Sequence, residues 1–214
     1  MDGERISVIP DSDLDHNTFS LDLNDGEEVE SWGDDNDTAG YVKGSSGPTY
    51  RDEGINDNPS VEFADDWLLA QLPSSISLPA TLVYVIEIFE DTEWIGGFAE
   101  SDFDGREIVR GSEGDWSTFT GGSTGGFSTN EPFIVQFVLD PDDTIIRVNG
   151  SDNSVANVDS RSDINYLGLG GSGDGSNPLP GYVGRQLTYF DRVETDGRDA
   201  IDKELSDQFE IDID

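Results

Sequence analysis

The chain has 214 residues, of which 47 are acidic and 11 are basic, and its formal net charge at pH 7 is −36. A chain of this length suits a single all-β domain, and so large a negative charge excludes a surface that binds nucleic-acid phosphates. The absence of cysteine excludes disulfide bonds and thiolate metal sites.

Turn signals recur along the chain, and nearly every run between them has the pattern of a β-strand. The predicted strands are residues 19–23, 60–63, 67–70, 81–89, 93–99, 116–120, 133–139, 144–148, 154–158, 166–170 and 182–190. Residues 81–89 (TLVYVIEIF) are apolar on both faces, as expected of a central strand that is covered on both sides. Residues 140–143 (DPDD) join two strongly β-forming runs, which predicts a hairpin.

One helix is predicted after the last strand. Ile201, Leu205 and Phe209 recur at helical spacing and would form an apolar stripe that docks on the strands. Thr195 or Asp196 would cap the N-terminus of this helix.

The chain divides into three predicted parts. Residues 1–18 form an N-terminal extension that is loose or contacts a partner, and residues 211–214 form a tail. Residues 19–210 form the β-sandwich between them. The first ten residues lack the basic and apolar regions of a signal peptide.

Aspartate is the commonest charged residue and lysine the rarest: there are 31 Asp and 16 Glu, against 9 Arg and only 2 Lys. Charge of this size keeps a protein soluble but drives its compact state apart. Molar salt screens that repulsion, because the Debye length falls to about 3 Å at 1 M. The composition therefore predicts a protein of a high-salt environment; the alternative is an acidic surface that binds divalent cations in ordinary salt.

Four segments carry a family resemblance in their order and spacing. They are residues 21–32 (LDLNDGEEVESW), 54–68 (GINDNPSVEFADDWL), 146–150 (IRVNG) and 181–192 (GYVGRQLTYFDR). Together they resemble the concanavalin A-like, laminin-G-like jelly-roll family, in particular its modules in phage tail and virion proteins. Ala64 and Gln186 depart from the family pattern, in which glycine and an acidic residue are commoner. The resemblance implies an all-β fold: a two-sheet antiparallel jelly-roll sandwich with a short C-terminal helix.

The resemblance and the acidic composition together predict a non-enzymatic surface or structural module of a halophilic virion, such as a tail fibre, turret or decoration protein. It would bind host-surface glycans or other virion subunits and would form a homo-oligomer on the virion surface. Nucleic-acid binding is not expected, because the chain is strongly negative. Membrane insertion is not expected either, since the longest aliphatic run, residues 82–86, is too short to cross a bilayer. The alternatives are a secreted or cell-surface lectin-like domain and a glycoside hydrolase of the same fold.

A glycan-binding site needs exposed aromatic rings beside polar groups that fix the orientation of the ligand. Such residues cluster in and beside the Gly-rich stretch of residues 111–130: Trp116, Phe119, Phe127, Asp115 and Asn130. This cluster is the predicted ligand site. The alternative is that Trp116 and Phe119 point inward from a strand and belong to the core.

Laminin-G-like relatives often bind Ca²⁺ at a loop rim, and Asp102 and Asp104 offer hard oxygen ligands for that ion. The alternative is that these carboxylates are part of the general surface charge. His16 lies in a polar segment that is predicted to be mobile, and no role is assigned to it.

The catalytic pattern E–x–D–x–x–E of hydrolases with this fold has its nearest match at residues 87–93 (EIFEDTE), where Phe89 replaces the middle acid. Glu87 and Glu93 share strand parity, but a turn is expected between them. No catalytic residue is therefore predicted.

Overall fold

Strands dominate the computed structural model, which describes residues 12–33, 39–43, 46–99, 107–112, 114–162, 164–171 and 179–213. The strands within these ranges are β1 (Leu14–Asn17), β2 (Ser31–Trp32), β3 (Tyr41–Lys43), β4 (Thr49–Arg51), β5 (Ser60–Phe63), β6 (Leu68–Ile76), β7 (Ala80–Ile88), β8 (Thr92–Ala99), β9 (Glu107–Ser112), β10 (Asp115–Thr118), β11 (Ser123–Gly125), β12 (Pro132–Leu139), β13 (Ile145–Val148), β14 (Ser151–Ser154), β15 (Ile164–Leu169) and β16 (Gly181–Tyr189). A helix, α1 (Thr195–Phe209), follows β16, and Thr18–Ser20 and Ile55–Asp57 form short 3₁₀ turns.

The strands form two sheets of eight, and the paired strands are antiparallel. Sheet A has the order β14-β13-β12-β7-β16-β5-β4, with β1 also paired to β16. Sheet B has the order β11-β10-β9-β8-β15-β6-β3-β2. The inner faces of both sheets contribute to one large apolar core. The predicted all-β, two-sheet antiparallel sandwich with a C-terminal helix is confirmed.

Strand β7 is covered on both faces, as its composition predicts. Leu82, Tyr84 and Ile86 belong to the core between the sheets. Val83 and Val85 belong to a second apolar cluster, on the outer face of sheet A. Alternate side chains of a strand point to opposite faces, so a strand buried on both sides must be apolar at nearly every position.

The predicted hairpin joins β12 to β13, with Val138 opposite Ile145. The next turn, into β14, uses Asn149 and Gly150, which have φ of 43° and 92°. Two residues in the left-handed region make the tight turn that suits the twist of paired strands. This turn begins β14 at Ser151, earlier than the predicted residue 154.

Helix α1 covers the outer face of sheet A. Its apolar stripe of Ile201, Leu205 and Phe209 packs in the cluster that holds Val83 and Val85, which confirms the predicted docking. The predicted cap is wrong, because the N-cap residue is Glu194, whose side chain makes no capping hydrogen bond.

A partly buried ionic network fastens the N-terminal half of α1 to sheet A. Arg147 on β13 is 8% exposed and pairs with Asp202 at 2.5 Å, Asp199 at 2.5 Å and Asp152 at 2.8 Å. Arg198 of the helix pairs with the same Asp152 at 2.6 Å. Burial opposes ionisation of Asp152, but the hydrogen bonds from Arg198 and Arg147 outweigh it and lower the pKa of this carboxyl.

The C-terminal half of α1 is fastened by two further contacts. Arg185 on β16 donates to Gln208 of the helix and makes a two-point pair with Asp15 of β1. The amide of Asn56 donates to the carbonyls of Phe209 and Glu210, at 3.0 and 3.1 Å. Because the last carbonyls of a helix lack partners within it, Asn56 satisfies groups that would otherwise need water.

Close packing at the end of α1 depends on Gly184. A Cβ atom at this position would lie 2.4 Å from the ring of Phe209. We therefore expect Gly184→Ala to lower the free energy of unfolding by about 1–3 kcal/mol, because the ring has to move. Urea unfolding in molar KCl measures the change. Gly125→Ala is the control, since nothing lies within 4 Å of its Cβ position; equal stabilities of the two variants would contradict the expectation.

The N-terminal boundary differs from the prediction. The sandwich begins by Leu14 rather than at residue 19, because β1 pairs with β16. Residues 19–23 do not form the predicted strand, and Thr18–Ser20 is a 3₁₀ turn instead. In the predicted tail, Ile211 is 4% exposed and packs in the cluster under α1.

His16 lies within the sandwich, so the prediction of a mobile position is wrong. The residue is fully buried on β1, opposite Gln186. Its ring is 4.4 Å from that of Tyr41 and 6.0 Å from that of Trp32, and Nε2 lies 3.1 Å from the carbonyl of Ala39. Leu14 is the only apolar residue in β1 (LDHN), so no local pattern predicted that His16 shares the buried face of Leu14.

Candidate functional site

The predicted aromatic ligand cluster does not form one exposed surface. Trp116 is fully buried and Phe127 is 7% exposed. The ring of Trp116 lies 5.2 Å from that of Phe127 and 5.3 Å from that of Phe133, in edge-to-face contacts. Strand β10 turns Trp116 inward, so the alternative that assigns this ring to the core is correct.

The other members of that cluster lie apart from the buried rings. Phe119 is 56% exposed, and Asp115 is exposed at the start of β10. Asn130 lies beside the end of β7, where its backbone N–H donates to Ile88 at 2.7 Å. Phe119 therefore offers a single exposed ring, because Trp116 and Phe127, its predicted partners in the ligand site, are buried.

The predicted calcium ligands, Asp102 and Asp104, lie outside the described residues. Within the described ranges, no three His, Asp or Glu side chains are arranged to hold a metal ion. The carboxylates of another acidic turn, at residues 140–143, form ion pairs with an arginine: Arg192 pairs with Asp140 at 2.8 Å and with Asp143 at 2.7 Å. Calcium binding thus stays a prediction.

A cluster of polar and aromatic side chains forms on the outer face of sheet A, where the strands run beyond the end of α1. Tyr182 on β16 lies directly between Glu62 on β5 and Glu87 on β7 in the sheet register. Val61 and Phe63 face the core, so Glu62 faces outward. Glu87 shares the face of Val85, which packs under the helix. We call Glu62, Tyr182, Glu87 and Phe89 the Tyr182 site.

Phe89 adds a second ring to the Tyr182 site. The centroids of the Phe89 and Tyr182 rings are 4.8 Å apart and the ring planes are at 90°. Both side chains are partly exposed, as are those of Glu62 and Glu87. Two perpendicular rings with carboxylates on both sides form a surface that can stack on a ligand and hydrogen-bond to it.

The two carboxylates of the Tyr182 site have different surroundings. Arg51 pairs with Glu62 at 2.5 Å and approaches Asp25 at 4.0 Å. Among the described residues, no lysine or arginine forms an ion pair with Glu87. Burial alone raises the pKa of Glu87.

The phenol of Tyr182 remains a hydrogen-bond donor at neutral pH. Burial, followed by the charge of Glu62, raises its pKa above the ordinary value of tyrosine, although Arg51 opposes this. The ring also packs against the apolar cluster under α1, which fixes its position. The Tyr182 site therefore offers a donor, an acceptor and two aromatic faces in a fixed arrangement.

The sequence interpretation considered Glu87 but paired it with Glu93. The structure instead brings Glu62 and Tyr182 to Glu87, from segments about 25 and 95 residues away in the sequence. The alternation of residues 60–63 could have placed Glu62 on an outer face. No local signal, however, indicates that β16 lies between the two glutamates.

Several solved structures share this fold. The sialidase of Trypanosoma rangeli is 16% identical, with a TM-score of 0.55 over 91% of this chain and 32% of the sialidase. The receptor-binding domain of botulinum neurotoxin mosaic serotype C/D is 8% identical, with a TM-score of 0.60 over 90% of this chain and 50% of that one. This chain thus spans a third to a half of these neighbours, and at such identities the similarity concerns the two-sheet β-sandwich fold alone.

No protein-family model matches the sequence, and no curated protein matches it either. Within the described residues, no helix has the length and apolar character needed to cross a membrane.

Proposed function

We propose that this chain is a non-enzymatic, glycan-binding module of a virion surface in a high-salt environment. The observation that carries the glycan-binding part is the Tyr182 site, in which the perpendicular rings of Tyr182 and Phe89 lie 4.8 Å apart beside Glu87. Aromatic faces with a few fixed polar groups are what sugar recognition requires. The shared fold with a sialidase and a toxin receptor-binding domain is in keeping with this proposal.

The virion placement is supported by the resemblance of four sequence segments to phage modules and by the net charge of −36. Host-glycan adhesion is the role that we favour; assembly with other virion subunits, as a homo-oligomer, is the related role. Mass spectrometry of purified halophilic virions should detect the chain. Its presence only in a secreted or cell-surface fraction would favour the alternative lectin-like domain.

A glycan array in molar KCl tests binding. We expect Tyr182→Ala to weaken binding of the best ligand about tenfold or more, because tyrosine at the centre of a site dominates the binding energy. Phe119→Ala is the control, since its ring is more exposed than that of any other described aromatic residue in the Gly-rich stretch. If Phe119→Ala abolishes binding and Tyr182→Ala does not, the Gly-rich stretch is the site.

A hydrolase is the second candidate, favoured by one observation: Glu62 and Glu87 flank Tyr182 on neighbouring strands. The backbones of Glu62 and Glu87 are two strand spacings, or about 10 Å, apart. Side chains that start at this distance can reach the carboxyl separation of about 6.5–9.5 Å that inverting glycosidases use. The ion pair of Glu62 with Arg51 argues against a free catalytic base. Release of reducing sugar that is lost in Glu87→Gln would overturn the non-enzymatic proposal.

A further inference from the structure

The charges that face the Tyr182 site are unevenly distributed across it. Arg51 lies on the β5 side, where it neutralises Glu62 and approaches Asp25. Glu87 lies on the other side of Tyr182, on β7, where no described lysine or arginine pairs with it. The unneutralised negative charge is therefore on the side of Glu87.

The ring of Phe89 lies on that same side of the site, against the central ring of Tyr182. Phe89 follows directly after the end of β7, two residues beyond Glu87, and its contact with Tyr182 places its ring beside the outer face of sheet A. The Phe89 ring meets the Tyr182 ring at 90°, so the pair presents an aromatic corner next to Glu87. Aromatic faces attract cations, and a partly buried carboxylate hydrogen-bonds strongly to an ammonium group.

Selectivity at this site has to come from direct contacts. In molar salt the Debye length is about 3 Å, so the net charge of the whole chain neither attracts nor repels a distant ligand. A charged group that touches Glu87 directly is screened much less, because water and salt are partly excluded from the contact.

We propose that the Tyr182 site selects sugars that carry a protonated amine over neutral or acidic sugars, with the ammonium held by Glu87 and the rings of Tyr182 and Phe89. This inference rests on the proposed glycan-binding function and names the class of ligand. Partial burial raises the pKa of Glu87, and an ammonium group beside the carboxylate would offset this effect by stabilising the ionised form. An acidic sugar would instead place two carboxylates together.

Calorimetric titration in molar KCl tests this inference on the unaltered protein, with glucosamine oligosaccharides and their fully N-acetylated counterparts. We expect the free amine to bind about tenfold more tightly, as a charge-assisted hydrogen bond implies. Equal binding of both sugars would overturn the amine selectivity and leave glycan binding intact. If neither these nor any array glycan binds, the proposed function fails and the inference fails with it.

Two variants assign the effect to Glu87. Glu87→Gln should remove the preference for the amine, whereas Glu90→Gln, an equal change of charge at an exposed position three residues away, should retain it. Glu87→Gln should also melt at the same temperature or higher without ligand, because a partly buried and unpaired charge is removed. A preference that persists in Glu87→Gln would overturn the assignment.

Discussion

Replacing Arg147 with methionine should lower the free energy of unfolding by about 3–5 kcal/mol, which is the usual cost of leaving a buried charge without its partner. Arg147 is 8% exposed and Asp202 is 1% exposed, and they pair at 2.5 Å. Burial raises the pKa of Asp202 even though Arg147 and Gln136 stabilise its ionised form. Without Arg147 this carboxylate would lose its cation, and α1 would lose its main polar attachment to sheet A.

Urea unfolding at constant molar KCl measures this effect. Lys203→Met is the control, because it removes a cation from an exposed position of α1; its effect should stay within about 0.5 kcal/mol. The double variant Arg147→Met with Asp202→Leu should recover part of the loss, since apolar replacement of a whole buried pair is often tolerated. Equal effects of Arg147→Met and Lys203→Met would show that the network does not hold the helix.

Transfer from about 2 M to about 0.05 M KCl should loosen or unfold the protein, because the Debye length then exceeds 10 Å and repulsion among the carboxylates is no longer screened. The chain has 47 acidic and 11 basic residues. Several of the cations are already committed to fastening strands, turns and helix to one another, as in the ion pairs of Arg147, Arg185 and Arg192. The acidic residues still exceed the basic ones enough to give a net charge of −36.

Circular dichroism and melting curves across this salt range check the expectation. Sucrose at equal osmolality is the control, since it strengthens burial of apolar groups without screening charge. An unchanged spectrum and melting temperature in low salt would contradict the high-salt interpretation. Recovery in sucrose alone would indicate that the core, rather than charge repulsion, limits stability.

The elements that the sequence predicts well are those whose signal is local. The unbroken apolar run of residues 81–89 predicts a strand with two covered faces, and the spacing of Ile201, Leu205 and Phe209 predicts the docked helix. In both, the residues that determine the structure are neighbours along the strand or helix. The family resemblance adds the arrangement in two sheets.

The candidate site could not be predicted in the same way. Tyr182 meets Glu62 and Glu87 only because β16 is inserted between β5 and β7, and such a pairing is a property of the whole sheet. The exposure predicted for Trp116 and Phe127 is wrong for a related reason. A strand in a Gly-rich stretch turns Trp116 inward, and composition alone does not reveal which way a strand faces.

The order in which the chain is synthesised determines when α1 can cover sheet A. All the described strands precede the helix in the chain, so they leave the ribosome before it does. Until α1 arrives, the outer face of sheet A exposes Val83, Val85 and Ile134 to water, as a bare apolar strip. We therefore expect a chain truncated before residue 195 to self-associate through this strip, because large exposed apolar patches promote association.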